Sequence, residues 1–438
     1  MILVSTRRAA PPVRFKEALL RGLAPDGGLY LPTSIPPIRR ETLASWRGLP
    51  IGEVAVGVVS HLVGDEFDRG TLERLTREAF DFPAPTVPIA DGLSVLELFH
   101  GPTLAFKDFG ARFLARVFGS LLSERGGHAT ILVATSGDTG SAVAQGFYGV
   151  PRVRVVVLYP AGKVSPFQEA QMATLGGNVT AVRVPGTFDD CQRLVKEALL
   201  DARLAGLGLS SANSINIGRL LPQAVYYVAS WLAAGGDEAG DVVFAVPSGN
   251  LGNLTAGVIA QRLGVAVGRF VAATNVNAVL PDYLRTGTYR ARPAQSTLSN
   301  AMDVGDPSNF PRLAQIHAEA LEALRANIVG MVVSEDETRR TIREVYRESG
   351  YLLDPHSAVG VAAARRARVE VGERRPIVSL ATAHPAKFGD VIREELGFDP
   401  ELPEPWRDWR TREVRAVDLP DVSYEAFRGC LFDAVRQR

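Results

Sequence analysis

Cysteine is almost absent: Cys191 and Cys430 are the only two in 438 residues. They lie far apart and lack metal-ligand spacing, which excludes a disulfide framework and a cysteine-built metal site; both read as ordinary buried thiols. Net charge is missing as well. Lys plus Arg number 48 and Asp plus Glu number 48, with a sequence pI near 7.0, so no electrostatic footprint for nucleic acid or an anionic membrane is present. No apolar run approaches the ~20 residues of a membrane span. Arg7-Arg8 stands near the start, but residues 9–15 hold two prolines and a further arginine in place of the apolar segment of an export signal. These absences predict a cytoplasmic protein without metal, membrane or nucleic-acid partners, long enough for two or three folding units.

What is present is an alternation of apolar runs and amphipathic segments. Strands are predicted over 130–134, 153–158, 179–184, 241–246, 269–274 and 376–381. Helices are predicted over 141–147, 166–175, 188–200, 220–232, 254–263, 335–349 and 358–365. Such alternation predicts an α/β protein with parallel sheets and right-handed crossovers, arranged as two α/β domains facing a cleft. Residues 1–85 read as an N-terminal helical subdomain, with helical patterns at 51–64 and 71–80. Residues 86–395 read as the catalytic core, within which about 108–205 form a smaller, mobile domain. Residues 396–438, which contain Pro, Trp and Arg, read as a tail packing on that core.

The most informative stretch is 96–110, where Lys107 stands between Phe106 and Phe109, behind a Gly101-Pro102 break and ahead of a helical pattern. A lysine among aromatic rings is poorly hydrated, which favours the neutral amine and makes Lys107 a candidate Schiff-base lysine. The alternative is the ordinary fate of lysine, a solvated head on a buried stem.

Two strand-to-helix junctions are rich in small residues. Gly249-Asn250-Leu251-Gly252-Asn253 lets backbone amides converge at a helix start, an anion cradle sized for phosphate. Its spacing fits neither the dinucleotide fingerprint nor the Walker loop. Ser136-Gly137-Asp138-Thr139-Gly140 offers hydroxyls and amides to a carboxylate, and is equally explained by helix capping. The cluster 213–219 brings Asn213, Ser214 and Arg219, suited to phosphate, although a surface ion pair would use Arg219 too. Thr382 follows the last strand, where ligand-facing loops of parallel sheets emerge.

In order along the chain, residues 22–30, 98–110, 134–140, 213–216, 247–250, 354–356 and 382–388 resemble the threonine synthase family. These are pyridoxal-phosphate enzymes of the tryptophan synthase β-like class, fold type II. The resemblance implies that Lys107 bonds the cofactor, that Gly249, Asn250, Leu251, Gly252 and Asn253 hold its phosphate, and that Asp138 lies beside its ring oxygen. It also implies that Thr382 faces the pyridine nitrogen; a neutral hydroxyl there leaves that nitrogen largely unprotonated and the ring a weaker electron sink. Ser136 and Thr139 would then grip the substrate carboxylate, with Asn213, Ser214 and Arg219 receiving the substrate phosphate.

The reaction implied takes O-phospho-L-homoserine and water to L-threonine and phosphate, by γ-elimination and β-addition of water, in a monomer or homodimer. The alternative on the same machinery is a phospho-lyase releasing phosphate and 2-oxobutyrate. An intact Lys107 disfavours a non-catalytic sensor, and the missing dinucleotide glycines disfavour a nicotinamide dehydrogenase. Many relatives in the wider class carry Asn where Asp138 stands. An ionised Asp138 against a ring phenolate is repulsive, so either one holds a proton or Asp138 points elsewhere.

Overall fold

The computed structural model describes residues 1–236 and 240–436. Two parallel sheets dominate it. The larger has six strands in the order Ile328–Val332, Val267–Thr274, Val242–Pro247, Ile377–Ala381, Leu93–Glu97 and Thr86–Ala90. All its pairings are parallel except the last. The smaller has five parallel strands in the order Ala416–Asp418, Val179–Val184, Val153–Pro160, Ala129–Ala134 and Leu209–Ser211. The central strands Val242–Pro247 and Ala129–Ala134 are buried at every residue, which is why they read as unbroken apolar runs: helices cover both faces.

The helices start where local chemistry dictates. Thr187 and Ser165 form capping boxes ahead of Phe188–Leu200 and Pro166–Ala173, each satisfying amides that no helical carbonyl can reach. Asp354 accepts from the amides of His356 and Ser357 and so opens Pro355–Glu370.

Several features go beyond the sequence reading. Besides its helices, the N-terminal segment carries a three-stranded antiparallel sheet, Val13–Arg14, Ile2–Ser5 and Tyr30–Pro32. The expected helix 220–232 is split into Ile217–Leu220, a 3-10 turn at Leu221–Gln223 containing Pro222, and Ala224–Ala233; the proline has no amide to continue the ladder. The smaller sheet extends past residue 205 to Leu209–Ser211. Its far edge comes from the tail, whose last helix, Tyr424–Arg436, packs against the same sheet.

Parallel strands point their carboxyl ends the same way, so the loops that follow them gather at one edge of each sheet. The loops after Ala129–Ala134, Leu209–Ser211, Val242–Pro247 and Ile377–Ala381 all contribute to one cavity, joined by residues 300–308, which follow helix Val279–Thr286, and by Leu23, Pro25 and Leu29 of the N-terminal segment.

Candidate active site

The cavity encloses about 810 Å3, and every one of the residues singled out by sequence lines it: Lys107, Ser136, Asp138, Thr139, Asn213, Ser214, Arg219, Gly249, Asn250, Leu251, Gly252, Asn253 and Thr382.

Lys107 is the first residue of helix Lys107–Arg125. It is delivered by a tight turn in which Leu104 takes a left-handed φ of 59° and donates its amide to Gly101, a conformation that costs a non-glycine residue and persists only when neighbours impose it. The neighbours are identifiable: Phe106 donates to the Thr382 carbonyl at 2.9 Å, His384 to Leu104 at 3.0 Å, and Ala105 bridges Ala383. Lys107 and Thr382 are thereby stitched together. The Lys107 ammonium is 5.4 Å from the centre of the Phe106 ring and 3.4 Å from Asp138 Oδ2, with its side chain only 13% exposed. Burial holds its pKa below the ordinary lysine value; Asp138 opposes this, while Lys387 and Arg219 reinforce it.

The glycine loop forms a cradle. Leu251 has φ 60°, turning the chain into helix Gly252–Arg262. Asn253 knits the loop from inside, accepting from Ser248 Oγ at 2.6 Å and from the Leu254 amide, and donating to the Pro247 carbonyl. The Asn250 side chain accepts from Ser308. The asparagine side chains are therefore scaffold, whereas the amides of Gly249, Asn250 and Leu251 meet no protein acceptor among the described residues. A Cβ at Gly249 would stand 2.8 Å from Met302 Cα. Open amides, a helix start and a glycine required by close backbone approach fit a cofactor phosphate.

At the facing loop, Thr135 Oγ1 accepts the amides of Gly137 and Gly140, fixing the turn that presents Ser136 and Thr139 to the cavity. Gly137 has φ 136°, and a side chain there would strike Gln168. Asn213 is anchored to the Ala134 carbonyl. Arg219 is buried, not on the surface. It gives Nη1 to the Ala212 carbonyl at 2.7 Å, and desolvation lowers its pKa to about 10, which still leaves a cation at neutral pH.

Asp138 is where the sequence reading was incomplete. Its side chain is 3% exposed, and Lys387 Nζ lies 2.9 Å from Oδ1. Gln168 Nε2 donates to the same oxygen at 2.9 Å. Burial opposes ionisation, yet the Lys387 and Lys107 ammoniums outweigh it and hold the carboxyl far below the usual range. Lys387 carried the same signal as Lys107, a lysine beside phenylalanine (Phe388) in an apolar stretch.

Other contributors gave less warning. His356 lines the cavity; its Nδ1 is 2.7 Å from Asp354, and its Nε2 accepts the Ala301 amide, fixing the wall that Gly249 touches. Arg312, fully buried, donates to the carbonyls of Tyr30, Ser214 and Ile215 and to Asn309 Oδ1, so one guanidinium joins the N-terminal segment to the 213–219 loop.

The match to known proteins follows the same residues. The family description "Pyridoxal-phosphate dependent enzyme" matches 91–383, "Threonine synthase N terminus" matches 3–80, and "Threonine synthase, C-terminal" matches 357–429. The threonine synthase of Escherichia coli K12 is 44% identical over 94% of this chain and 93% of its own. The chain belongs to the threonine synthase family. Among solved threonine synthases, the pyridoxal-phosphate-bound enzyme from Brucella melitensis superposes with a TM-score of 0.93 at 39% identity, covering all of both chains. The yeast threonine synthase superposes at 0.90 with 33% identity, covering 99% of this chain and 98% of its own. Fold type II, expected from the sequence, is thus the observed architecture.

Proposed function

We infer that the chain converts O-phospho-L-homoserine and water to L-threonine and phosphate, with pyridoxal 5'-phosphate as cofactor, as the cytoplasmic last step of threonine biosynthesis. One observation carries the reading. A buried lysine with a lowered pKa, a glycine anion cradle and a second polar cluster containing Arg219 share one cavity, in a chain of this family. Two anion sites suit a substrate that brings a phosphate of its own beside the cofactor's.

When bound, the cofactor supplies an electrophilic carbon for the substrate amine and a conjugated ring that accepts electron density from Cα. The protein does the rest. The amides of 249–253 and the positive end of helix Gly252–Arg262 hold the cofactor phosphate. Thr382 would present a neutral hydroxyl to the cofactor's ring nitrogen, and Asp138 would stand beside its ring oxygen. Ser136 and Thr139 grip the substrate carboxylate, while Asn213, Ser214 and Arg219 receive the phosphate that leaves from Cγ. Lys107 would carry the cofactor; as a free amine it would take the Cα proton, remove a Cβ proton as phosphate leaves from Cγ and return a proton to Cγ, before water adds at Cβ. A lysine held below its ordinary pKa spends more of its time as the amine this requires. The unit at about 108–205 closes on the core and keeps water out until the unsaturated carbon is ready.

The test is complementation. A threonine auxotroph lacking its own threonine synthase grows without threonine when it carries this chain, and fails to grow with Lys107→Ala. Absence of growth with soluble wild-type protein contradicts the assignment.

A further inference from the structure

Two poorly exposed lysines converge on Asp138, and only Lys107, which lines the cavity, has a place in the reaction above. The second, Lys387, has a side chain with no exposure. Its ammonium reaches Asp138 Oδ1 at 2.9 Å, Gln171 Oε1 at 2.9 Å and the Thr103 carbonyl at 2.8 Å. Two hydrogen bonds and one ion pair thus fix the ammonium. The residue is also fixed along the chain: it belongs to the short turn Pro385–Phe388, whose start is pinned where His384 Nδ1 accepts the Ala386 amide.

Lys107 is the opposite case. Asp138 Oδ2 is its only hydrogen-bond acceptor among the described residues, at a long 3.4 Å. Asp138 is therefore neutralised at close range by a lysine that cannot leave, and only loosely by the lysine that must react. Had Asp138 stood alone beside Lys107, a buried carboxylate would have kept that amine protonated, since an opposite charge within a few ångströms raises a lysine pKa by about one unit or more.

We propose that Lys387 is a positioning residue: it supplies Asp138 with a permanent counter-charge, which releases Lys107 from ion pairing and lets it reach the neutral, nucleophilic form near neutral pH. The inference rests on the reading of Lys107 as the cofactor-bearing lysine and adds the device that makes it reactive. It also accounts for an aspartate beside the cofactor's ring oxygen, because Asp138 and Lys387 together are electroneutral. The other charged groups bearing on the cluster are Arg219 beside Lys107, His356 beside Asp138, Asp108 and His384 within reach of Lys387, and Asp303 and Asp354 around His356. None of them makes an ion pair with Lys107.

The test follows attachment of pyridoxal phosphate to cofactor-free full-length protein through growth of the lysine-bound chromophore, from neutral to alkaline pH. Three proteins are compared after thermal melts: wild type, Lys387→Met, and the double variant Asp138→Asn/Lys387→Met. Loss of Lys387 alone is expected to raise the pH midpoint of attachment by about one unit, a roughly tenfold slower reaction at neutral pH; the double variant, with both charges gone, is expected to return to the wild-type midpoint. A residue needed only for packing would leave the midpoint where it is. A folded Lys387→Met with the wild-type midpoint overturns the proposal, as does a double variant displaced as far as the single one. If Lys387→Met does not fold, the double variant decides: it must fold and show the wild-type midpoint, or the proposal falls. A wild type that forms no chromophore at any pH removes the Lys107 reading, and this inference with it.

Discussion

Gly249→Ala tests the cradle most sharply, because its consequence is calculable. The added Cβ would meet Met302 Cα at 2.8 Å, Val304 Cγ2 at 3.0 Å and the Ala301 carbonyl at 3.2 Å. The first contact falls roughly 0.6 Å short of ordinary van der Waals separation, an overlap that backbone can relieve only by moving. The opposing segment is not free to move. The Ala301 amide is bonded to His356, and the Asp303 carboxylate accepts from Thr297 and Asn275. Overpacking of this kind costs about 1–3 kcal/mol. The strain falls on the amides proposed to hold the cofactor phosphate; losing one charge-assisted contact costs about 1.5–3 kcal/mol, equivalent to a ten- to hundredfold rise in Kd for pyridoxal phosphate, to within about a factor of two. Titration of cofactor-free protein, read by absorbance and paired with a thermal melt, measures both effects. Gly429→Ala is the control: a Cβ there meets nothing within 4 Å, and alanine in helix Tyr424–Arg436 should be neutral or stabilising by up to about 1 kcal/mol. Wild-type cofactor affinity and stability in Gly249→Ala would refute the close-approach reasoning.

Three further outcomes are expected. Burial, reinforced by His100, depresses the His384 pKa from 6.5 to about 4. Its contribution to stability is thus complete above pH 6.5 and lost as pH falls toward 4, by up to about 3 kcal/mol; denaturant titrations of His384→Asn across that window should show a flatter acid limb, and an unchanged limb contradicts this. Ser165→Ala breaks the capping box that also orients Gln168, the donor to Asp138, and should cost about 1 kcal/mol in a melt together with a weaker hold on the cofactor. Trp406 donates to the Pro102 carbonyl and meets Phe167 edge-on at 5.5 Å. Trp406→Ala should therefore cost about 3–5 kcal/mol; a variant as stable as wild type would show the tail to be an ornament.

How far the sequence could be read follows from where information is local. Strands such as Val242–Pro247, buried on both faces, appear as apolar runs, and each is followed at once by the loop that carries its chemistry. Lys107, the 136–139 loop and the glycine cradle were therefore visible. The N-terminal sheet was not, because strands of two to four residues, Val13–Arg14 and Ile2–Ser5 among them, are too short to show a period. Ile328–Val332 and Ala416–Asp418 are edge strands whose pairing depends on partners distant in sequence. The same holds at the site. Lys387 and Asp138 are 249 positions apart yet form one ion pair, and Arg312 reaches back to Tyr30; neither contact leaves a local pattern.

The central claim is that this cavity turns O-phospho-L-homoserine into threonine with Lys107 handling the protons. Its most direct test is product analysis of the cofactor-loaded protein given that substrate alone. The account predicts L-threonine and phosphate in equal amounts, with both lost in Lys107→Ala. Phosphate accompanied by 2-oxobutyrate in place of threonine would contradict it.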